Sequence, residues 1–345
     1  MIGPIVTPFE PPEEGQMVEV ADGVLWAQMP LPQPLNHVNV YALDDGTGWT
    51  IVDTGVDTER TRSAWRNLLS GPLAGKPVTR LIATHHHLDH IGLAGWFMTE
   101  FGTELLTTRT AYLMARMLQL DTQDRPTPQM VAFWRSCGIA PEILAERETT
   151  RPFNTSDAVG PIPLGFTRIQ EGDVIKAGGR VWDVRCGDGH APEHATLWSH
   201  DGELVIGGDQ LLGSISPNLG LHATEPEADP VGDWIDSCMR FRPYATDTQI
   251  VLTGHKKPYR GLPARLGQLI DNHAAALERL RVFLAEPATA CDCFDALFRR
   301  KIKKGEYGLA MVEAMAHCHH LFAKGLVTRE VREDGAYVWQ TRASQ

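Results

Sequence analysis

The sequence of 345 residues predicts a mixed α/β fold that is followed by a helical C-terminal segment. Two patterns carry this prediction. Short runs rich in β-branched and aromatic residues alternate with amphipathic helical runs over residues 20–105, and strand-like runs resume over residues 170–255. Beyond residue 262, the spacing of leucine and isoleucine is helical. We therefore expect a layered α/β sandwich with a separate helical part.

The chain opens with three strand-like runs, "GVLWAQM", "HVNVYAL" and "WTIVDTG", separated by turn signals such as "DDGTG". Residues 58–71 then predict an amphipathic helix that closes with Gly71. "VTRLIAT" is typical of a buried strand. Residues 90–102 predict the next helix, with Gly102 past its end.

Residues 110–156 change to a helical pattern, in which "AYLMARMLQL" and "PQMVAFWRSCG" are interrupted by "DRPTP". We interpret this segment as an insertion that shapes a pocket or the contact of a homodimer. Strands resume with "DVIKAGGRVWDVRCG", "ATLWSHDGELVIGGD" and "TQIVLTGH". Each of these three runs leads into a histidine or an aspartate.

The C-terminal segment has helical patterns in "LPARLGQLIDNHAAALERLRVFLAE" and "GLAMVEAMAHCHHLFAKG". It ends in a hairpin-like stretch that turns at Asp334-Gly335. Helices followed by a short hairpin suggest a winged-helix-like module. We expect a catalytic domain over residues 1–262, including the insertion, and a helical, winged-helix-like segment over residues 263–345.

The charge of the chain is uneven. The net charge is −11, made up of −14 over the first 294 residues and +3 from Asp295 onward. An acidic main body argues against a large nucleic-acid footprint. No apolar run is long enough for a membrane span, and the first residues do not resemble a secretory signal, so we expect a cytoplasmic protein without a membrane partner. Six scattered cysteines without a C-x-x-C pair fit reduced thiols.

The stretch "THHHLDH" concentrates potential metal ligands. His85 and His87 are two residues apart, so on an extended backbone they face the same side, while His86 faces away. Asp89 and His90 follow as the chain enters a helix and can reach a second ion. Imidazole and carboxylate ligands favour Zn²⁺, although nitrogen and oxygen ligands also suit Fe or Mn. The spacing therefore predicts a metal centre with two half-sites.

This motif at the end of a strand resembles the hallmark of the metallo-β-lactamase superfamily. Further motifs follow in the family's order: "IVDTG", "GDGHAPEH", "VIGGD" and "LTGH". The resemblance covers most of residues 20–260 and implies an αββα sandwich with a metal site at one edge. It also implies one zinc site with His85, His87 and His190, a second with Asp89, His90 and His255, and a bridging Asp209. Asp53 would then hold a ligand in place without binding metal.

With such a ligand set, the expected reaction is hydrolysis. Metal coordination lowers the pKa of water from about 15.7 toward ~7, so that a metal-bound hydroxide can attack an acyl carbon. Asp89 would be the catalytic residue that orients this nucleophile or relays its proton.

Several other residues are candidates with an equally ordinary structural interpretation. Glu193 and His194 either line the pocket or stabilise the next strand. The histidines of "AHCHH" do not converge on a helix, which favours a packed or solvated face. The basic run "RRKIKKG" is typical of a solvated face. The candidate substrate-pocket residues are His194, Ser216, Asn218, His222 and Tyr259.

The ligands do not select the substrate. The chain is similar to glyoxalase-II-like (hydroxyacylglutathione hydrolase-like) proteins, which implies a small-molecule acyl substrate. It departs from true glyoxalase II after its last metal histidine, where "GHKKPYRGLPARL" replaces a Glu-Tyr-Thr run. We therefore expect a thioesterase or lactonase with two zinc ions. The alternatives are a ribonuclease or phosphodiesterase of the same fold and an iron-dependent redox protein.

Overall fold

The structure is a computed structural model and describes residues 3–32 and 35–342. It confirms the predicted mixed α/β fold. Seven strands form the first sheet in the order of the chain, β1 to β7. β4 to β7 run parallel to one another, whereas the earlier pairs are antiparallel. These strands are β1 (Val18–Ala21), β2 (Val24–Pro30), β3 (His37–Asp44), β4 (Trp49–Val52), β5 (Val78–Ile82), β6 (Glu104–Thr107) and β7 (Thr167–Arg168).

A second sheet of five strands has the order β12-β11-β10-β9-β8. Only its β11–β12 pair is parallel. β13 and β14 form a separate antiparallel hairpin near the C-terminus. The strands are β8 (Val174–Ala177), β9 (Arg180–Gly187), β10 (His194–Ser199), β11 (Leu204–Gly208), β12 (Ile250–Thr253), β13 (Val327–Val331) and β14 (Tyr337–Thr341).

Ten α-helices lie within the described residues, together with short 3₁₀ turns. Several begin with the side-chain caps that their sequences favour. The Thr58 hydroxyl, for example, accepts the backbone N–H of Thr61 at the start of α1. The helices are α1 (Glu59–Ser70), α2 (Leu88–Ile91), α3 (Ala94–Phe101), α4 (Arg109–Leu120), α5 (Pro128–Ser136), α6 (Pro141–Thr149), α7 (Pro230–Phe241), α8 (Leu262–Phe283), α9 (Phe294–Phe298) and α10 (Tyr307–Ala323).

The two sheets pack face to face over an apolar core. Strand β3 shows how the alternation of side chains builds it. Tyr41 and Leu43 point into the layer between the sheets, where Trp182 and Leu197 of the second sheet are also buried. Val40 points to the opposite face of the first sheet, into a second core. There α1 and α3 cover the sheet with residues such as Trp65 and Phe97. The structure thus contains the predicted layers in which helices pack on the first sheet and the first sheet packs on the second.

The chain divides into two compact units. The first contains both sheets and consists of the segments up to Thr122, Asn154–Pro217 and Phe241–Leu266. The second contains Gln123–Phe153, Asn218–Arg240 and the chain from Gly267 onward.

Part of the helical insertion and the segment Asn218–Arg240 thus fold with the C-terminal part of the chain. The backbone N–H of Cys291 donates to the carbonyl of Cys137 at 3.0 Å, and Gly138 lies against the side chain of Thr289. Such long-range contacts leave no periodic signal in the sequence.

Within the part of the chain that the structure describes, no helix combines the length and the apolar character that crossing a membrane requires.

Candidate metal centre

The candidate ligands lie at the ends of neighbouring strands. In the first sheet, Asp53 directly follows β4, and His85 comes three residues after the parallel strand β5. In the second sheet, Asp209 directly follows β11, and His255 comes two residues after the parallel strand β12. Parallel neighbours end at the same edge of a sheet, so each sheet brings two chemically active side chains together. His190 lies in the turn between β9 and β10.

The "THHHLDH" stretch forms the turn from β5 into α2. His87 is still extended, with φ −66° and ψ 147°, and Asp89 and His90 lie in the first turn of the helix. His85 Nε2 and His87 Nδ1 are 3.0 Å apart, as their two-residue spacing predicted.

Three overlapping groups of side chains place their donor atoms within 4.8 Å of one another. All of their members come from the first unit of the chain. His85 belongs to two groups, and so does His90, so the groups form a continuous cluster. His86 belongs to none of them. The groups are His85, His87 and His190; His85, His90 and Asp209; and Asp89, His90 and His255.

Asp209 lies between these groups. Its Oδ2 is 3.4 Å from His190 Nε2 and 3.3 Å from His255 Nε2, and its Oδ1 is 3.5 Å from His90 Nε2. His255 Nε2 is also 3.3 Å from the Asp89 carboxylate. A carboxylate that faces three imidazoles from different parts of the chain is suited to bind a metal ion.

Asp53 organises the cluster from behind. Its carboxylate accepts the backbone N–H and the hydroxyl of Thr84, at 2.8 and 2.9 Å, and the Nδ1–H of His90 at 2.7 Å. Because the Thr84 hydroxyl donates its only proton to Asp53, the oxygen must accept the Nδ1–H of His85, 3.0 Å away. Both imidazoles are therefore fixed with Nε2 facing the cluster.

His255 is fixed in the same way by a backbone group. Its Nδ1–H donates to the carbonyl of His37 at 2.8 Å, so its Nε2 also faces the cluster. His194 is buried, and its Nε2 accepts the backbone N–H of Asp209 at 3.2 Å. The structure thus gives His194 a role in holding the Asp209 backbone.

The electrostatic environment differs from one histidine of the centre to another. Burial and the neighbouring histidines hold the pKa of His85 well below its usual value. Burial alone would also lower the pKa of His255, but the Asp209 and Asp89 carboxylates outweigh it and raise that pKa to about 10. The same carboxylates raise the pKa of His90. Protons on these imidazoles and metal cations therefore compete for the same position.

The donor set fits metal ions. Asp209 Oδ1 is buried without a hydrogen-bond partner among the described residues, and so is Nε2 of His90. Such atoms in a polar cluster require an explanation, and a cation supplies one. The backbone also approaches very closely. A Cβ on Gly254 would overlap the Asp209 carboxylate and lie 2.7 Å from Cε1 of His90.

The remaining candidate substrate-pocket residues do not belong to the metal-ligand groups. Ser216 is exposed in the loop after β11, and Tyr259 is fully buried with its ring against Gly213. Asn218 and His222 belong to the second unit. There the Asn218 side-chain amide donates to the Glu313 carboxylate at 2.8 Å. The structure therefore shows an internal structural contact for Asn218.

Glu193 accepts the backbone N–H of Thr110 at 3.0 Å, in the first turn of α4. The histidines of α10 are buried, as the packed-face interpretation required, and each has a partner within the second unit. His317 donates to the carbonyl of Glu313, for example, and His320 pairs with Asp229.

Two residues with a clear role at the site were missed in the sequence. Asn39 is buried on β3, and its amide donates to the carbonyls of Thr253 and Lys256 at 2.8 and 2.7 Å. His37 supplies the carbonyl that holds His255. A polar residue inside the apolar run "HVNVYAL" was the available signal for Asn39.

Comparison with known proteins gives a consistent result. Residues 34–287 match the family model of the metallo-beta-lactamase superfamily, and residues 277–342 match a metallo-beta-lactamase-like C-terminal domain. The chain is 28% identical over 321 residues to the probable metallo-hydrolase YqjP of Bacillus subtilis (strain 168), covering 89% of this chain and 94% of YqjP.

Two crystal structures are similar over nearly the whole chain. A beta-lactamase domain protein from Burkholderia ambifaria has 34% identity and a TM-score of 0.87, with 98% of this chain and 97% of that chain covered. A metallo-beta-lactamase family protein from Thermus thermophilus has 26% identity and a TM-score of 0.77, with 94% and 100% covered.

Proposed function

Because the chain belongs to the metallo-beta-lactamase superfamily, we propose that it is a hydrolase of acyl compounds that holds two metal ions in the cluster described above. The observation that carries this proposal is the overlap of three donor groups through His85 and His90, with Asp209 in the middle group facing both His190 and His255. One group could hold one ion, whereas overlapping groups on both sides of a carboxylate provide for two neighbouring ions. Zinc suits a donor set that consists of imidazole nitrogens and carboxylate oxygens.

In the proposed arrangement, the residues divide into two sets that share Asp209. The Nε2 atoms of His85, His90 and His255 face the cluster because their Nδ1 atoms are bonded to Thr84, Asp53 and the His37 carbonyl. The first set is His85, His87 and His190, and the second is Asp89, His90 and His255.

When bound, the metal ions supply Lewis acidity and lower the pKa of a water molecule. Asp89 is the protein group placed to handle the proton. Its side chain is 18% exposed, more than those of Asp209 and His255, so it faces the open side of the cluster. The His255 imidazole, 3.3 Å away, fixes its orientation.

The proposed reaction is the hydrolysis of a thioester or a lactone. Water forms a new bond to the acyl carbon and gives up one proton, which Asp89 accepts. The bond from the acyl carbon to the thiolate sulfur or ring oxygen then breaks, and the proton passes to that leaving group. The products are a carboxylic acid and a thiol, or an opened hydroxy acid.

The test is metal analysis followed by a substrate panel on the same preparation. The panel contains acyl-glutathione and acyl-CoA thioesters, lactones, a chromogenic lactam and a phosphodiester. We expect two zinc ions per chain and chelator-sensitive hydrolysis of a thioester or a lactone. Iron instead of zinc, or cleavage of the phosphodiester alone, would overturn the proposed chemistry.

Variants test the residue roles. We expect His87→Ala and Asp89→Ala to abolish turnover while the circular dichroism spectrum stays that of the folded protein. His200→Ala is the matched control, because His200 is half exposed and pairs with Asp183 outside the cluster. Turnover at the wild-type rate in either cluster variant would exclude the proposed mechanism.

A further inference from the structure

A cavity of about 480 Å³ opens beside the metal centre, on the side of His255. Its lining includes the polar residues Gln28, His37 and Ser214 together with two consecutive lysines, Lys256 and Lys257. All of these residues belong to the first unit. The described residues that line the cavity include none of the candidate ligands, and His37 connects the cavity to the cluster, because its carbonyl accepts the Nδ1–H of His255.

The backbone of Lys256 is fixed in an uncommon conformation. Its φ is +65°, a left-handed value that residues with a side chain rarely adopt. Two side chains hold it there: its N–H donates to His37 Nε2 at 3.2 Å, and its carbonyl accepts from the Asn39 amide at 2.7 Å. Asn39 is itself oriented by Gln28, whose amide donates to its oxygen at 3.1 Å. Strain of this kind persists where the surroundings enforce it, often at a binding site.

The two lysines differ in their partners. Lys257 Nζ pairs with Glu10 at 2.7 Å. Lys256 lines the cavity, and within residues 3–32 and 35–342 it has no ion-pair partner. A half-buried lysine whose charge the protein does not neutralise is available to a ligand.

His37 does not add a second charge. Because its Nε2 accepts the Lys256 N–H, its proton lies on Nδ1, which donates to the Asn36 side chain at 2.7 Å. His37 therefore acts as a support for Lys256. The positive charge of the cavity is concentrated on the Lys256 ammonium, in a domain whose overall charge is acidic.

From this geometry, and resting on the proposed function, we propose that the cavity binds an anionic group of the acyl substrate, a carboxylate or a phosphate, through Lys256. The substrate class is then an acyl compound with an anionic group remote from the bond that is hydrolysed. The Lys256 ammonium donates to that group, and Ser214 also lines the cavity. This arrangement orients the acyl carbon toward the cluster next to it.

The first experiment measures whether the protein hydrolyses anionic substrates in preference to a neutral one. Three thioesters with the same acyl group are compared: one of neutral N-acetylcysteamine, one of N-succinylcysteamine with a terminal carboxylate, and one of pantetheine 4′-phosphate. If only lactones are hydrolysed, a lactone with and without a side-chain carboxylate or phosphate replaces them. We expect a higher kcat/KM for each anionic substrate than for the neutral one. The anionic substrate with the larger ratio to the neutral one shows whether the cavity prefers a carboxylate or a phosphate.

In Lys256→Gln, the ratio of anionic to neutral kcat/KM should fall about tenfold, since the substitution removes one charge-assisted hydrogen bond. A ratio does not depend on the fraction of enzyme that is folded and loaded with metal. Lys176→Gln is the matched control, because Lys176 is exposed on β8, at the opposite edge of the second sheet from β12. It should keep the wild-type ratio. An unchanged ratio in Lys256→Gln would overturn the proposal while leaving the proposed hydrolysis intact.

If the protein hydrolyses none of these substrates, that result counts against the proposed function. The anion site can then still be tested by a binding measurement. Inorganic phosphate and N-acetylglycine are titrated calorimetrically into the purified wild-type protein and both variants. Weaker binding of one of these anions by about tenfold in Lys256→Gln alone supports the site. Equal binding by all three proteins, or no binding, refutes it.

Discussion

Replacement of Asp53 by asparagine tests how the protein fixes its candidate ligands. Asp53 has φ +57°, and asparagine is one of the few residues that accept this left-handed conformation, so the backbone should be unchanged. The two side chains also have nearly the same shape. What changes is hydrogen bonding: the carboxylate accepts three donors, two from Thr84 and one from His90, whereas an amide has only one accepting oxygen.

Neither orientation of the amide can satisfy all three donors. If the amide nitrogen replaces Oδ1, it faces the backbone N–H of Thr84, and two buried donors oppose each other. If it replaces Oδ2, it faces the Thr84 hydroxyl and His90 Nδ1. His90 must then carry its proton on Nε2, the atom that would bind metal. An unsatisfied buried donor costs about 1–3 kcal/mol, which corresponds to roughly 5–150-fold in an equilibrium constant.

We therefore expect Asp53→Asn to bind zinc about 10–100-fold more weakly than the wild type, with little change in the circular dichroism spectrum. Competition with a chromophoric chelator measures the affinity without relying on turnover. Asp183→Asn is the control, because Asp183 is a partly exposed carboxylate that pairs with His200. Wild-type zinc affinity in Asp53→Asn would refute the argument that Asp53 fixes the His90 imidazole.

Three further predictions follow from particular contacts. Gly254→Ala should weaken zinc binding by at least about tenfold, because its Cβ would overlap the Asp209 carboxylate; Gly267→Ala, with no other group within 4 Å of the new Cβ, should leave the affinity unchanged in the same chelator competition. Asn39→Leu leaves the Lys256 carbonyl without its side-chain donor, whereas the Thr253 carbonyl keeps the Tyr41 hydroxyl, and should lower the free energy of unfolding by about 2 kcal/mol, measured with urea; a loss below about 0.5 kcal/mol would contradict this. Burial lowers the pKa of His317 from 6.5 to about 4, so between these pH values the unfolded chain binds a proton that the folded chain does not, and the free energy of unfolding decreases as the pH falls. His317→Gln should show a shallower decrease in urea titrations at pH 7, 6 and 5, and an identical slope would disprove the assignment.

The sequence motifs were informative because each follows a strand. "IVDTG", "VIGGD" and "LTGH" end apolar runs, and parallel pairing brings the ends of such runs together. The candidate site residues within these motifs, Asp53, Asp209 and His255, could therefore be predicted from the sequence. The run "HVNVYAL" likewise indicated a strand, and the structure buries side chains on both of its faces.

The contacts that position the ligands could not be predicted in this way. Asn39 bonds to carbonyl groups 214 and 217 residues away, on a strand of the other sheet and in the loop that follows it. The cavity beside His255 depends on the same meeting of distant segments. Hydrophobic periodicity shows which face of a strand is buried, but not which strand of another sheet lies opposite. For the same reason, Asn218, close to Asp209 in sequence, folds with the second unit.

The separation of the ligands along the chain also affects the order in which the protein can mature. His85, His87, Asp89 and His90 are made early and lie within six residues, whereas His255 comes at the end of the last strand of the second sheet. The candidate ligands of this short stretch are already close together before any sheet has formed. A nascent or denatured chain would therefore compete with the folded protein for the same metal ion. Binding to the unfolded chain reduces the stability that the same ion gives the folded protein. For the proposed zinc ions, addition during refolding would therefore have two opposing effects, and delivery after the second sheet has formed would favour the native state.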